Sequence, residues 1–388
     1  MPCAAQSFKD KKSMKILIAA DSFKDALPAL EVCQAMARGA AQAGTNIETN
    51  CFPLGDGGEG TSTILTFHSA GQWVACQVHD PLLRPVGAGY GISGDGQTAF
   101  IEMAQAAGLQ LLQSEERNPL KTSTFGVGEM IRDALRRGVT HIVLCIGGSA
   151  TNDAGIGMAQ ALGYTFFDAK HQPLQGIGSH LSKIHHLAAP PKAVLPARVT
   201  VLCDVDNPLY GTQGAAQVYA RQKGADEAAV AELDAGLQHF AHVLQEHFGQ
   251  DFATVPGAGA AGGLGAGAMA FLNARLQPGI ETVMELTNFR AALQNVALIL
   301  TGEGKIDQQT LHGKLISGVV KHAGNIPVIA LCGTLQATPS EIKQLGLQAA
   351  FSILNRPMPL PEALSETATL LEQTAQQVVQ TWLHPSIP

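Results

Sequence analysis

The chain has 388 residues, 46% hydrophobic and 15% charged, which is enough length for two domains and enough apolar content for a sizeable core. Its formal net charge of −7 at pH 7 argues against nucleic acid or an anionic membrane surface as a partner, while leaving room for a small anion in a local positive pocket. The seven cysteines are dispersed, with no CxxC and no Cys/His zinc spacing, which fits reduced thiols in the cytoplasm, and no apolar run reaches membrane-spanning length.

Residues 1–13 are polar, precede Met14, and read as a disordered extension. Lys15 to Ala20 is a continuous apolar run, the pattern of a buried strand, and Asp21-Ser22-Phe23-Lys24-Asp25 stands at its carboxyl end. Pro28 fits the first turn of a helix running to about Ala43, and Gly44 stops it. A second strand, Glu48 to Leu54, ends in Gly55-Asp56-Gly57-Gly58-Glu59-Gly60. A helix from Thr61 and a strand from Trp73 to His79 complete a βαβαβ pattern, expected of a parallel sheet with ligands at its carboxyl edge.

From about Pro85 the rhythm changes. Val86 to Ser93 and Thr98 to Met103 flank Gly94-Asp95-Gly96, a hairpin signal. A helix near 126–137 leads to strand Ile142 to Ile146, broken by Gly147 and Gly148. Ser149, Thr151, Asn152 and Asp153 are all helix-capping residues, and a helical pattern follows through Leu162. A strand, a glycine turn and a helix N-terminus aim backbone N–H groups and a positive dipole end at one point, where phosphate or carboxylate is the natural occupant.

Strand Val199 to Cys203 ends in Asp204-Val205-Asp206-Asn207-Pro208, and a long helix spans about Asp226 to Phe248. Strand Val296 to Leu300 runs into Thr301-Gly302-Glu303-Gly304-Lys305-Ile306-Asp307, read as another glycine turn. A helix, strand Val328 to Cys332, a helix, strand Ala350 to Leu354 and a helix from about Pro361 to Leu383 close the chain. The expected fold is α/β with two domains. A discontinuous parallel-sheet domain of flavodoxin- or Rossmann-like type takes residues 14–85 plus 286–388, and a mixed α/β domain, 86–285, is inserted into it.

Gly257-x-Gly259-x-x-Gly262 matches the dinucleotide fingerprint, but Pro256 precedes it and no strand feeds it, so it reads as an anion loop or hinge. Gly313-Lys314 lacks the hydroxyl residue and first glycine of a P-loop, and no GxSxG elbow anchors a hydrolase triad. Asp21, Asp56, Asp153, Asp204, Asp206 and Asp307 all follow strands or lie in glycine turns. Each alone serves as a cap or turn residue; together their charge is tolerable beside Mg²⁺ or cations, and Lys24, Lys305 and Lys314 lie in the same loops. Carboxylates, lysines and glycine anion nests are the components of phosphoryl transfer.

Seven blocks carry a family resemblance: Asp21 to Lys24, Pro53 to Thr61, Gly147 to Asp153, Cys203 to Leu209, Gln222 to Ala225, Gly259 to Gly265 and Thr301 to Asp307. In this order and over nearly the whole chain from Met14, they resemble the bacterial type-1 glycerate kinases. Asp25-Ala26-Leu27-Pro28 and Ala220-Arg221 depart from the family pattern. The resemblance implies ATP-dependent phosphorylation of D-glycerate at its 2-hydroxyl, a two-domain fold with the active site in a cleft, and a cytoplasmic place in sugar-acid or glyoxylate catabolism. A kinase for another small hydroxy acid and a non-catalytic small-anion effector-binding protein are the competing readings.

Within the kinase reading, ATP phosphates are expected against Gly147, Gly148, Ser149, Thr151 and Asn152, and against Gly302, Gly304 and Lys305. Mg²⁺ is expected on Asp56 and Asp153. Ser22 and Lys24, with Asp21 beside them, form the expected grip on glycerate, and Lys24 counts among the catalytic residues. Asp204 is the expected base. Asp206 as base with Asp204 on Mg²⁺ is an alternative, and both can instead be turn caps.

Overall fold

The structure is a computed structural model that describes residues 13–190, 197–307, 310 and 315–383. The expected extension lies outside the described residues except for Ser13, and so does Lys314. The strands, in chain order, are β1 (Met14–Ala20), β2 (Ile47–Cys51), β3 (Gln72–His79), β4 (Pro85–Ile92), β5 (Thr98–Glu102), β6 (His141–Cys145), β7 (Thr165–Phe167), β8 (Pro173–Leu174), β9 (His186–Ala188), β10 (Arg198–Leu202), β11 (Arg275–Gln277), β12 (Val296–Ile306), β13 (Val328–Leu335) and β14 (Ala349–Ser352). The chain divides into two compact units, Met1–Gly55 with Met284–Pro388, and Asp56–Val283.

The first unit is built on a parallel five-stranded sheet of order β14-β13-β12-β1-β2. Numbered within the unit and read from β2, this is the 2-1-3-4-5 order of flavodoxin-like folds. Residues Ile16 to Ala20 are fully buried, as a strand covered on both faces requires. The helix Ala29–Gln42 turns Val32, Cys33, Ala35, Met36 and Ala40 into the core beneath the sheet. Gly39 lets this helix approach the helix Thr367–Leu383, since a Cβ there would lie 2.0 Å from the Glu372 carbonyl oxygen. The expected C-terminal helix is two helices, Leu360–Ser365 and Thr367–Leu383.

The expected glycine turn after Leu300 does not form; β12 continues through Ile306. Gly302 pairs with Ala20 on one side and Leu331 on the other, so its backbone belongs to the sheet. A Cβ on Gly302 would lie 2.3 Å from the Leu331 carbonyl oxygen, which is why glycine stands inside this strand.

The second unit carries a mixed six-stranded sheet of order β11-β10-β6-β5-β4-β3. β5, β6, β10 and β11 run parallel, and β4 and β3 continue the sheet antiparallel, with the anticipated hairpin joining β4 to β5. β3 thus leaves the parallel sheet in which the sequence pattern had placed it, and the segment from Asp56 to Pro85 goes with the second unit. Its side chains explain this: Val74 and Val78 are buried while Trp73, Ala75 and Gln77 are exposed, the alternation of an antiparallel strand with one wet face. A small antiparallel sheet, β8-β7-β9, packs beside the helix Glu227–Phe248. That helix starts where the Asp226 carboxylate accepts from the Ala229 N–H at 2.8 Å, and it ends at Gly249 with φ +68°. No helix among the described residues is long and apolar enough to cross a membrane.

Candidate active site

In the first unit, chain order reverses between β1 and β12, and ligands of such sheets bind outside the strand ends at that reversal. Asp21 and Ser22 leave β1 at this point. The Asp21 N–H donates to the Gly302 carbonyl at 2.9 Å, and Asp21 Oδ1 accepts from the Ser22 N–H at 2.6 Å and from Ser22 Oγ at 3.2 Å. A tight turn follows, closed by the Phe23 N–H to the Leu27 carbonyl, with Asp25 at φ +63° and Lys24 exposed on it. A Cβ on Gly304 would lie 3.6 Å from the Lys24 backbone nitrogen, so the strand end and the backbone of the lysine turn are in contact. Lys305 Nζ is 2.9 Å from Asp307 Oδ2, and Glu303 Oε1 accepts from Thr310 Oγ1 at 2.7 Å. Asp21, Ser22, Lys24, Gly304 and Lys305 therefore share one strand-end cluster. Gly302 lies behind it, inside the sheet.

In the second unit, β5, β6, β10 and β11 end in register, with Glu102 opposite Cys145, Cys145 opposite Leu202, and Leu202 opposite Gln277. Three turns converge on this edge. Gly57, at φ +94°, lies against Leu202, and a Cβ on Gly147 would stand 3.0 Å from the Gly58 Cα. Gly279 lies so close to Asp56 that a Cβ would be 1.9 Å from the Asp56 carbonyl oxygen and 2.8 Å from Asp204 Oδ2. Asp204 Oδ1 accepts from the Gly279 N–H at 2.6 Å, and Asp56 Oδ1 from the Gly58 N–H at 3.1 Å. Desolvation of the Asp204 carboxyl against its neighbours, reinforced by the charge of Asp56, pushes its pKa up to about 6, although the residue as a whole is exposed to solvent. Glu102, buried at the end of β5, accepts from the Ser62 N–H at 2.7 Å and so fixes the helix Thr61–His68 that follows the Asp56 loop; burial raises its pKa.

Asp206 is exposed two residues beyond Asp204, and the turn there is fixed by Asn207 instead. The Asn207 amide donates to the Gln213 carbonyl at 2.8 Å and accepts from the Tyr219 hydroxyl at 2.6 Å.

Asp153 is not placed to hold a metal. It is fully buried, and its carboxylate accepts from the Thr124 N–H and Oγ1, each at 2.8 Å, and from the Gly155 and Gly157 N–H groups, each at 3.2 Å. Burial raises its pKa despite these donors. The helix after the turn begins only at Ile156 and spans six residues to Ala161, so Asp153 itself occupies the N-terminus that the sequence pattern had offered to a ligand. Gly148, at φ +75°, is exposed, whereas Ser149, Thr151 and Asn152 are buried.

Lys223, inside the block Gln222 to Ala225, is not among the expected site residues. It is 2% exposed, and its Nζ donates to Ser149 Oγ at 2.6 Å and to the Thr151 carbonyl at 2.7 Å. Burial lowers its pKa to about 7, with Asp153 opposing the shift. Its local sequence announces none of this, because its partners lie 74 and 72 residues away. The glycines of the fingerprint-like segment also prove to be packing residues. Ala261, Gly262 and Gly263 all have positive φ, a kink that breaks the helical run Ala260–Leu272, and a Cβ on Gly262 would be 2.0 Å from the Thr151 carbonyl oxygen.

A flavodoxin-like sheet and a mixed sheet, with acidic and glycine turns at their parallel strand ends, define an α/β enzyme of the small-molecule type. The model of the Glycerate kinase family matches residues 16–383. The chain is 45% identical to the glycerate kinase of Halalkalibacterium halodurans, over 95% of this chain and 98% of that protein. It is 43% identical to the glycerate 2-kinase of Escherichia coli K12, over 90% and 93% of the respective chains. A crystal structure from Salmonella typhimurium LT2, provisionally described as a glycerate kinase 2, superposes with a TM-score of 0.86 at 41% identity, covering 96% of this chain and 99% of that one. The chain belongs to the glycerate kinase family, and it is a kinase.

Proposed function

We propose that this kinase transfers the γ-phosphoryl group of ATP to the 2-hydroxyl of D-glycerate, giving 2-phosphoglycerate and ADP. The observation that carries the reading is the Asp204 carboxyl, fixed by the Gly279 N–H at 2.6 Å beside Asp56 and raised to about 6, a value suited to a general base near neutrality. As the hydroxyl oxygen bonds to phosphorus and the bond to the ADP oxygen breaks, Asp204 accepts the hydroxyl proton. Gly147 and the exposed Gly148 offer a side-chain-free approach for phosphate oxygens. In the first unit, Lys24 and Ser22 at the strand reversal are groups suited to a small anion.

No cluster of three or more metal-binding side chains exists among the described residues. Asp56, a part-buried carboxylate that accepts one bond from the Gly58 N–H, fits Mg²⁺, which takes one or two carboxylates and completes its shell with phosphate oxygens and water. When bound, the ion neutralises charge on the phosphates. The test is regiochemical. The enzyme is incubated with MgATP and D-glycerate, and enolase is added without a mutase. Phosphoenolpyruvate is expected; ADP release without it overturns transfer to the 2-hydroxyl.

A further inference from the structure

We infer that Lys223 is the positioning residue of the Gly147–Asp153 turn, setting the grip of that turn on ATP without touching the nucleotide. The inference rests on the reading of this turn as the phosphate loop. On one side the turn is held by two backbone bonds, the Leu109 N–H to the Gly148 carbonyl at 3.0 Å and the Ala150 N–H to the Ala107 carbonyl at 2.8 Å, and by Thr122 Oγ1, which donates to the Ala150 carbonyl at 2.9 Å. On the other side Lys223 reaches in from a separate segment, Arg221–Lys223, and spends both of its hydrogen bonds on the turn, at Ser149 and Thr151. Neither bond serves the lysine's own segment.

An amine that is 2% exposed is costly to bury, and its stem would pack as well without it. What the amine adds is a fixed side-chain rotamer at Ser149 and a fixed carbonyl at Thr151, directly after the positive-φ Gly148. The Thr151 carbonyl is hemmed in from behind by Gly262, and the Ala154 N–H donates to the Gly262 carbonyl at 3.0 Å, so the turn backs directly onto the kinked backbone of Ala261 to Gly263. In the same turn Thr151 Oγ1 and both side-chain polar atoms of Asn152 are buried without a hydrogen-bond partner. The lysine is thus the side-chain tether of the Ser149–Thr151 stretch, while Thr122 holds Ala150 and the Asp153 carboxylate anchors the far end of the turn.

Lys223→Met keeps the stem and removes the donors. With Ser149→Ala and the double variant it forms a cycle measured by steady-state kinetics and by calorimetric titration of a non-hydrolysable ATP analogue. Lys223→Met is expected to raise KM for ATP by about tenfold or more, in line with loss of two buried bonds from an amine, with a smaller fall in kcat and little change in KM for glycerate. Ser149→Ala should give an intermediate effect, and the double variant should match Lys223→Met, because the two changes remove one shared bond. A loss of thermal stability with KM for ATP at the wild-type value would overturn the inference, because a purely structural lysine moves only the former. Gly148→Val separates the two claims. If it raises KM for ATP while Lys223→Met and Ser149→Ala do not, the positioning role is wrong and the phosphate-loop reading stands; if none of the three moves it, both fall. Should Lys223→Met fail to fold, Ser149→Ala decides alone, a wild-type KM for ATP counting against the inference.

Discussion

The Asp204 carboxyl is held by one short bond from the Gly279 N–H and feels the charge of Asp56, and burial disfavours its ionised form enough to move its pKa to about 6. A base must be deprotonated to act, so kcat is expected to fall as pH drops through that value. Asp204→Asn should lower kcat by about 10²–10⁴-fold, leave KM for ATP nearly unchanged and flatten the acidic limb of the kcat profile. A kcat within a few-fold of wild type with the acidic limb intact returns Asp204 to capping the helix Gly279–Leu286. Asp153 has a different destiny in the same class of strand-end aspartates. Its four donors are buried, so Asp153→Ala strands them and is expected to cost about 2–4 kcal/mol of stability, seen as a lower denaturant midpoint, with the Mg²⁺ requirement of the surviving activity unchanged. A shifted Mg²⁺ requirement at wild-type stability is the outcome that restores it as a ligand. Both residues follow a strand and a glycine-rich or turn-rich segment, and nothing local separates them. What separates them is Thr124 and Gly279, at sequence distances of 29 and 75 residues.

Among the elements, the glycines divide into those that free a surface and those that admit a neighbour. Gly148 has open surroundings, its nearest obstacle being the Ala104 Cβ at 3.3 Å from a built Cβ, and only its φ of +75° resists substitution. Gly302 has an extended backbone and no room, with the Leu331 carbonyl oxygen at 2.3 Å. Gly148→Ala is therefore expected to cost about 1–2 kcal/mol and leave a folded enzyme with weaker ATP affinity. Gly302→Ala should disrupt the sheet and cut soluble yield with no selective effect on ATP, which circular dichroism and KM for ATP on the purified variants distinguish. A folded Gly302→Ala variant with a selectively raised KM for ATP is the result that returns Gly302 to the phosphate site.

The sequence pattern carried most of the elements: the buried strand β1, the hairpin joining β4 and β5, and the helix opened by Asp226 and closed by Gly249 all form close to where periodicity and capping residues put them. It misled where glycine stands for close approach. In β12, Thr301, Glu303 and Lys305 alternate with Gly302, Gly304 and Ile306, a period of two that a Gly-x-Gly motif disguises as a turn. In β3 the alternation of exposed and buried residues already spoke for an antiparallel strand. Lys223 had no such signal, since burial at 2% depends on where distant segments fold.

On the scale of the whole molecule, ionisable groups buried in the second unit pull stability in opposite directions with pH. Burial raises the pKa of Asp153 and Glu102, so the folded state gains protons before the unfolded chain does, and what these groups contribute is lost as pH rises through their folded values. Lys223 works the other way. Its amine titrates at about 7 in the folded protein and at 10.5 when exposed, so between these values the unfolded chain holds a proton that the folded chain does not. Stability from this site is present above the unfolded value and is lost as pH falls towards 7, with a slope of at most about 1.4 kcal/mol per pH unit. The buried thiols of Cys33 and Cys145 add an opposing slope only beyond the ordinary thiol value of 9.0, because burial keeps them protonated in the fold. Urea midpoints at about pH 7 and about pH 8.5, for wild type and Lys223→Met, isolate the lysine. Wild type is expected to gain stability relative to the variant on going to the higher pH. Parallel shifts in the two proteins would mean that the amine is already charged in the fold, with Asp153 as its counter-ion, and that burial has not overcome that attraction.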